Sequence, residues 1–434
     1  MKKIKVVRIC AFSTEEIRTL MPKKISVVEK LLYKIISKKI ESVDIGPWNV
    51  IGIKQYEGSD EVELHVICPT RRIKERIKEF DIRGIHYHFF KDESTSLIHR
   101  AWRYLFTRYS SQFKKNRKVE MELINKIQPD IVHIVGAENY FYSNVIHDIP
   151  ENIPTIVLLQ TLVSDPRRSK AHYPNPKLRK YALESEQKIL KRADYLATAS
   201  VFYKDVIENE LVPDATILKL GLCNSNEPNL EPEKKEFDFV YFARDIKKAF
   251  DLVMESFALT YKQHPEITLD VIGECSAKYR QEVDRRLGEL GIREAVTFEG
   301  LLPTIDDVVV QVRKSRFAVL PIKGDMISQT IIQAMTNGLP TVTCITPGTP
   351  SLNRNRESVL LSEVGDNEAM SANMLRLLND EAFANTLRKN AGQTILERQS
   401  PKQTHQRWIR AFKGCIDNHQ NGTAIPEDLF FDKK

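Results

Sequence analysis

Residues 239–261 read FVYFARDIKKAFDLVMESFALTY. The apolar run from Phe239 to Ala243 has the length and β-branched and aromatic content of a buried strand. A short charged turn carrying Arg244, Lys247 and Lys248 follows it. Phe250, Met254, Phe257 and Tyr261 then recur at spacings of 4, 3 and 4, which is one apolar stripe of a helix. A buried strand feeding a helix through so short a turn is half of a parallel βαβ unit. It also leaves Arg244 and Lys248 at the carboxyl end of a parallel strand, beside a helix N-terminus, where cations suit a diphosphate. Spacing alone is equally compatible with a solvated loop.

The same alternation extends in both directions. Strands are expected at 3–10, 63–69, 84–90, 130–135, 155–160 and 194–200, with helical patterns near 26–40, 71–80, 95–126 and 176–193. In the second half, strands are expected at 237–243, 267–273, 295–300, 317–322 and 340–345. Residues 224–236, NSNEPNLEPEKKE, hold almost no apolar side chains and read as a linker. The chain therefore divides into a domain over 1–223, the linker 224–236, and a second domain over 237–399. A final helix over 400–418 begins at Ser400-Pro401 and carries Trp408, Phe412 and Ile416 on one stripe, which is expected to pack back on the first domain. Residues 419–434 read as a polar tail. Two α/β, doubly wound domains place ligand crevices at the carboxyl ends of their strands, and facing crevices would form one deep cleft.

Composition supports an ordinary globular protein. Of 434 residues, 42% are hydrophobic and 28% charged, which excludes collagenous and disordered classes. No apolar stretch approaches the ~18 residues of a membrane span. The opening MKKIKVVRICAFS is interrupted by Arg8 and reads as a first strand, not a leader. Six cysteines are scattered without C-x-x-C spacing, as reduced core residues of a cytoplasmic protein would be. No His/Asp metal cluster is apparent.

Net charge is +7, and residues 71–120 alone hold 14 basic and 6 acidic side chains. Within this patch, LIHRAWRYLFTRYSSQFKKNRK (97–118) interleaves Trp102, Tyr104, Phe106 and Tyr109 with cations. It reads either as an amphipathic helix for an anionic membrane face or as a core helix with a solvated basic flank. No nucleic-acid-binding motif accompanies the charge.

A second informative stretch is RFAVLPIKGDMISQTIIQAMTNGLPTVTCITPGTPSL (316–352). A strand ends at LPI, a polar turn holds Gly324 and Asp325, and a helix spans about Ser328 to Asn337, with Gly338 at its C′ position. Ser328, Gln329 and Thr330 leave backbone N–H groups open to an anion. Asp325 and Gln333 can both face a crevice, although Gln333 also fits a plain helix-surface position.

Taken together, Arg244 with Lys248, Asp325 with Gln333, AMTNGLPTV and PGTPSL resemble the donor-binding domain of family-4 retaining glycosyltransferases of the GT-B fold, over about 238–398. The resemblance includes PEITLDVIGE, where Gly273 occupies the turn after a strand. It implies that Arg244 and Lys248 neutralise the diphosphate of a nucleotide-sugar, that Asp325 contacts donor-sugar hydroxyls, and that Gln333 stands where a Glu usually holds the ribose. An amide there gives up a charge-assisted grip of roughly 1–3 kcal/mol.

In the first domain, QPDIVHIVGAENYFYSNVI (128–146) resembles the family strand ending at the cleft. Gly136 allows close backbone approach, and Glu138 follows as a catalytic-side carboxylate or a helix N-cap. His133 reads as packing beneath the sheet, and Val135 stands where relatives carry a second His. Paired glycines after the first strand are replaced by STEEIRTLMPKKISVVEK (13–30). Gln160 and Thr161 lie on the same acceptor-side rim.

The expectation is a metal-independent, cofactor-free retaining hexosyltransferase in surface polysaccharide biosynthesis. It would move sugar from a nucleotide-sugar donor to a saccharide or lipid-linked glycan acceptor. It would work in the cytoplasm or at the inner membrane face, without nucleic acid. The alternative from the same residues is a GT-B protein that has become a glycan- or partner-binding module. A sugar-nucleotide epimerase shares the architecture but not the AM..GLP segment.

Overall fold

The computed structural model describes residues 2–21, 44–70, 73, 75–92, 113–165, 176–221, 227–231, 233–323, 327–346, 348–399 and 401–431. The chain forms two compact units, one built from the amino-terminal half through Cys223 and from Lys402 onward, the other from Asn224–Pro401.

The first unit is an eight-stranded sheet in the order β3-β4-β2-β1-β5-β6-β7-β8. Its strands are β1 (Ile4–Ile9), β2 (Val62–Thr70), β3 (Ile77–Ile82), β4 (Ile85–Lys91), β5 (Ile131–Val135), β6 (Thr155–Leu158), β7 (Tyr195–Thr198) and β8 (Ile217–Lys219). Every pairing is parallel except β3 with β4. Its helices are α1 (Glu15–Leu20), α2 (Pro47–Lys54), α3 (Lys114–Ile127), α4 (Tyr140–Ser143), α5 (Pro176–Arg192) and α6 (Val201–Val206).

The second unit is a six-stranded, all-parallel sheet in the order β11-β10-β9-β12-β13-β14. It comprises β9 (Phe237–Asp245), α7 (Phe250–Tyr261), β10 (Leu269–Glu274), α8 (Ala277–Leu290), β11 (Val296–Gly300), α9 (Ile305–Arg313), β12 (Ser315–Leu320), α10 (Gln329–Thr336), β13 (Thr341–Cys344), β14 (Leu360–Ser362), α11 (Asn367–Asn379) and α12 (Glu381–Gln399). The last helix, α13 (Pro401–Asn421), lies with the first unit from Lys402 onward. Both sheets sandwiched by helices have the long apolar strands that burial on two faces requires. Among the described residues no helix is long and apolar enough to cross a membrane.

Three expectations are corrected. The helical reading of 71–80 gives way to β3, which pairs antiparallel with β4 through a two-residue turn. Arg83 (φ 48°) and Gly84 (φ 81°) both take the positive φ that such a hairpin turn demands. The described residues of 224–236 are not a free linker: Asn229 N donates to Thr336 O at 2.7 Å, and buried Arg313 donates to Glu233 Oε1 at 2.7 Å and to Glu231 O at 3.1 Å. The segment straps onto the second unit. Residues 419–431 are not a polar tail either. Helix α13 continues to Asn421, and Ile425 and Leu429 are buried in the first unit's core. The helical pattern at 26–40 and residues 97–112 of the aromatic–basic stretch lie outside the described residues.

Candidate functional site

Strand order in the second sheet reverses between β9 and β12, and ligand crevices of open α/β sheets form outside the carboxyl ends at such a reversal. The chain leaving β9 supplies Arg244, Lys247 and Lys248. Ile246 is fully buried and anchors the turn, while the Asp245 carboxylate accepts the Lys247 N–H at 3.0 Å and caps it. Arg244 and Lys248 are consequently held exposed on either side of a buried anchor.

Neighbouring cations are already engaged. Lys247 lies over the Tyr279 ring at 5.6 Å, and Lys323 donates to both Asp251 carboxylate oxygens at 2.7 and 2.9 Å. The latter pair ties the chain leaving β12 to the first turn of α7, so the two loops of the reversal adjoin. Arg244 and Lys248 have no ion-pair or hydrogen-bond partner among the described residues. Two paired and two unpaired cations in one loop system leave the unpaired ones available to an anion.

Gly273 shapes the same edge. Its φ is +149°, and a Cβ there would fall 2.0 Å from the Ala243 carbonyl oxygen. The β9–β10 register shifts between Ile272 and Glu274 at this point. Only a glycine lets the end of β10 press against the residue that precedes Arg244.

Helix α10 brings Ser328, Gln329, Thr330 and Gln333 to this unit. Ser328 is its N-cap, with Oγ accepting from Thr330 N at 3.4 Å and lying 2.8 Å from Thr330 Oγ1. Ile331, Ile332, Ala334 and Met335 are buried, which fixes the helix on the core and leaves Gln333 half-buried between them. The Gln333 side-chain amide has no partner among the described residues. Gly338, at φ +68°, ends the helix as the sequence expects. Asp325 lies outside the described residues.

In the first unit the strand order reverses between β1 and β5. Gly136 (φ +93°) closes β5, its N–H donating to Leu158 O at 2.8 Å. A Cβ at that position would meet Asn139 and Glu138 side chains at 2.5–2.8 Å. The glycine thus lets Glu138 fold back over the strand end, where its Oε1 accepts from Asn139 Nδ2 at 3.2 Å. Ser143 Oγ donates to Gly136 O at 2.6 Å and fixes the loop. Just past β6, Gln160 is half-buried with its Nε2 unmatched by any described acceptor, and buried Thr161 lies 3.4 Å from the Tyr203 hydroxyl. Gly136, Glu138, Gln160 and Thr161 therefore gather at the carboxyl ends of adjacent strands.

His133 does not belong to that group. It is buried, stacks on Trp408 at 4.5 Å, and burial drives its imidazole strongly toward the neutral form. Sequence reasoning missed the Lys323–Asp251 tie and the Asp245 cap, whose only signal was an acid next to each basic turn. It also missed Glu63, His65 and His86, which come together on β2 and β4.

Residues 224–394 match the family model for glycosyl transferases group 1. No curated protein matches the chain in sequence. Solved structures similar to the chain include a sucrose-phosphate synthase from Thermosynechococcus elongatus, at 13% identity and TM-score 0.65, covering 95% of this chain and 98% of that one. A glycosyltransferase from Rickettsia africae gives 13% identity and TM-score 0.62, over 96% and 100% of the two chains. HepE from Anabaena, solved in complex with UDP and glucose, gives 13% identity and TM-score 0.61 over 94% and 99%. The second unit thus carries the segment typical of group 1 glycosyl transferases, and the chain has the two-domain α/β fold of GT-B glycosyltransferases.

Proposed function

We propose that the protein is a glycosyltransferase that takes a hexosyl group from a nucleoside diphosphate sugar and transfers it, with retention, to a saccharide or lipid-linked glycan. The observation that carries this reading is the pair Arg244 and Lys248, exposed and unpaired at the carboxyl end of β9, inside the segment that matches group 1 glycosyl transferases. Two cations there bind the diphosphate and stabilise the charge that grows on it as the glycosidic bond breaks. The neighbour HepE, solved in complex with UDP and glucose, supports a nucleotide of the same class.

In this reading, Gln333 and the Ser328–Thr330 turn hold the nucleoside and phosphate side, and Asp325 holds sugar hydroxyls. Gly136, Glu138, Gln160 and Thr161 present the acceptor. The acceptor hydroxyl attacks the sugar from the face the leaving group departs, through an oxocarbenium-like state, and passes its proton to the leaving phosphate oxygen. Arg244 and Lys248 supply the positive charge without a metal or cofactor. The product enters surface polysaccharide at the inner membrane face, where residues 97–118 meet anionic lipid. Gln333 in place of the usual Glu and Val135 in place of a His favour a second reading, a binding module with a weakened donor site.

Thermal unfolding of the full chain with a panel of nucleoside diphosphates, alongside hydrolysis of the matching nucleotide-sugars, tests the proposal. One nucleotide should raise Tm, by the amount set by its occupancy. Arg244→Ala should abolish that rise and lower turnover about 10²–10³-fold. A rise without turnover selects a binding module that keeps a weakened donor site, and no rise with any nucleotide refutes the transferase reading and favours a glycan- or partner-binding module.

A further inference from the structure

On the face of the first sheet that α3 covers, six titratable side chains from three strands form a connected array. β2 supplies Glu63 and His65, β4 supplies His86 and His88, and β3 supplies Glu79 and Asp81. Register places them together: His65 pairs with His86 across the parallel β2–β4 ladder, and His86 and His88 pair with Asp81 and Glu79 across the β3–β4 hairpin. The alternate residues, Leu64, Val66, Tyr87, Phe89 and Phe80, face the apolar cluster that Trp408 and Phe412 join, so the whole array shares the other face.

The hydrogen bonds order it. His88 Nδ1 lies 2.5 Å from Glu79 Oε1, and Glu79 Oε2 also accepts from Lys126 at 2.7 Å. A carboxylate only accepts, so His88 Nδ1 carries a proton. His88 Nε2 lies 3.0 Å from His65 Nδ1, and His65 Nε2 lies 2.9 Å from Glu63 Oε1. Two neutral imidazoles bring two N–H groups to these three contacts. Once His88 has donated to Glu79 and His65 to His88, the His65 Nε2 lone pair confronts a carboxylate oxygen. A positive species between them resolves the conflict.

His86 completes the arrangement. Its ring stacks on His65 with centroids 4.5 Å apart, and its Nδ1 donates to Asp81 Oδ1 at 2.7 Å, which leaves Nε2 as a lone pair. Ligand atoms of Glu63, His65 and His86 lie within 4.8 Å of one another. Metal–ligand bonds of about 2.0–2.1 Å would bring them to roughly 3.3 Å apart, which requires the two stacked rings, 20° from parallel, to turn toward a common point. Each histidine already has its other nitrogen oriented, His86 by Asp81 and His65 by His88, as ligating imidazoles require.

We propose that Glu63, His65 and His86 bind a divalent transition ion of the zinc class, with its fourth position open to solvent. Two imidazoles and a carboxylate are a donor set for zinc and not for magnesium or calcium. Lys5 Nζ, 3.6 Å from Glu63 Oε1, holds that carboxylate and yields it to the ion. The site lies near the amino ends of β2 and β4, the opposite end of the sheet from Gly136 and Glu138, so the ion clamps the β3–β4 hairpin to the sheet and takes no part in sugar transfer.

The test uses full-length, untagged protein stripped by chelator and titrated with Zn²⁺ by calorimetry, and with Co²⁺ by visible absorption. One equivalent should bind and raise Tm, and Co²⁺ should give the intense bands of tetrahedral coordination. His86→Ala and Glu63→Gln, at partly exposed positions, should each weaken Zn²⁺ affinity at least tenfold and reduce the Tm rise, while His264→Ala in the other unit leaves both unchanged. Absence of stoichiometric Zn²⁺ binding, or affinity unaltered by His86→Ala or Glu63→Gln, overturns the proposal. Any nucleotide-induced Tm rise should persist in both variants, so this test stands apart from the transferase reading.

Discussion

At Gly273 a single hydrogen in place of a side chain decides whether the β9–β10 edge can close. The backbone sits at φ +149°, and an added methyl would overlap the Ala243 carbonyl at 2.0 Å and Ile246 Cγ2 at 2.8 Å. Both contacts belong to the turn that presents Arg244 and Lys248, and the carbonyl cannot move without shifting the strand. Gly273→Ala is therefore expected to destabilise the second unit by at least about 2 kcal/mol through backbone strain and overlap. Urea unfolding followed in that unit measures it, and a loss under 0.5 kcal/mol would mean that the edge adapts. The contrast with Gly291, where a Cβ meets nothing within 4 Å, shows that these two glycines are not equivalent although both have positive φ. Arg244 and Lys248 were readable from sequence because a strand, a turn and a helix follow one another without interruption. The unpaired state of these cations was not, because it depends on Lys323 and Asp251, which are 72 residues apart.

Helix α3 carries its own exception to the rule that builds it. Asn116, Val119, Glu120, Leu123, Ile124 and Ile127 form its buried stripe, at spacings of three, one, three, one and three. Glu120 stands on that stripe fully buried, and neither carboxylate oxygen meets a donor among the described residues. Burial first, then nearby Asp92, pushes its carboxyl well above the usual range. The unfolded chain gives up this proton at lower pH than the folded one, so the group subtracts stability as pH rises above its ordinary value near 4.5. Glu120→Met should thus stabilise the first unit at pH 7 by about 1–3 kcal/mol, with a smaller gain at pH 4. Denaturant unfolding at both pH values checks the sign, and a destabilised variant at pH 7 would assign Glu120 a partner or a role that the helix alone does not reveal. Long apolar strands such as β5 and β9 were legible because burial on both faces leaves a continuous run. β3 was not, since Lys78, Glu79 and Asp81 interrupt its apolar residues in a stretch dense with cations. β8 and β14, three residues each, leave no period to read. The Glu63–His65–His86 group was invisible for a related reason: strand register, not sequence spacing, brings it together.

The chain finishes in the unit where it began. After the second unit is complete, α13 and the residues behind it return to the first sheet, where Trp408 stacks on His133 and its indole N–H donates to Gly221 O at 2.8 Å. Tyr195 donates to Asn418 Oδ1 at 2.7 Å, and Ile409, Phe412, Cys415 and Leu429 fill the same core. Burying one such large apolar side chain contributes about 1.5–3 kcal/mol, and a whole domain is stable by only about 5–15 kcal/mol. A chain ending at Gln399 should accordingly lose the first unit's fold and keep the second unit's. Hydrogen exchange distinguishes the two: amides of β1, β5 and β7 should exchange rapidly in the truncated chain, while those of β9, β12 and β13 stay protected. Trp408→Ala is the milder form of the same experiment, costing about 3–5 kcal/mol for the cavity it leaves. Protection of β5 unchanged by the truncation would mean that the amino-terminal half holds its own core, and that the returning helix serves something other than its stability.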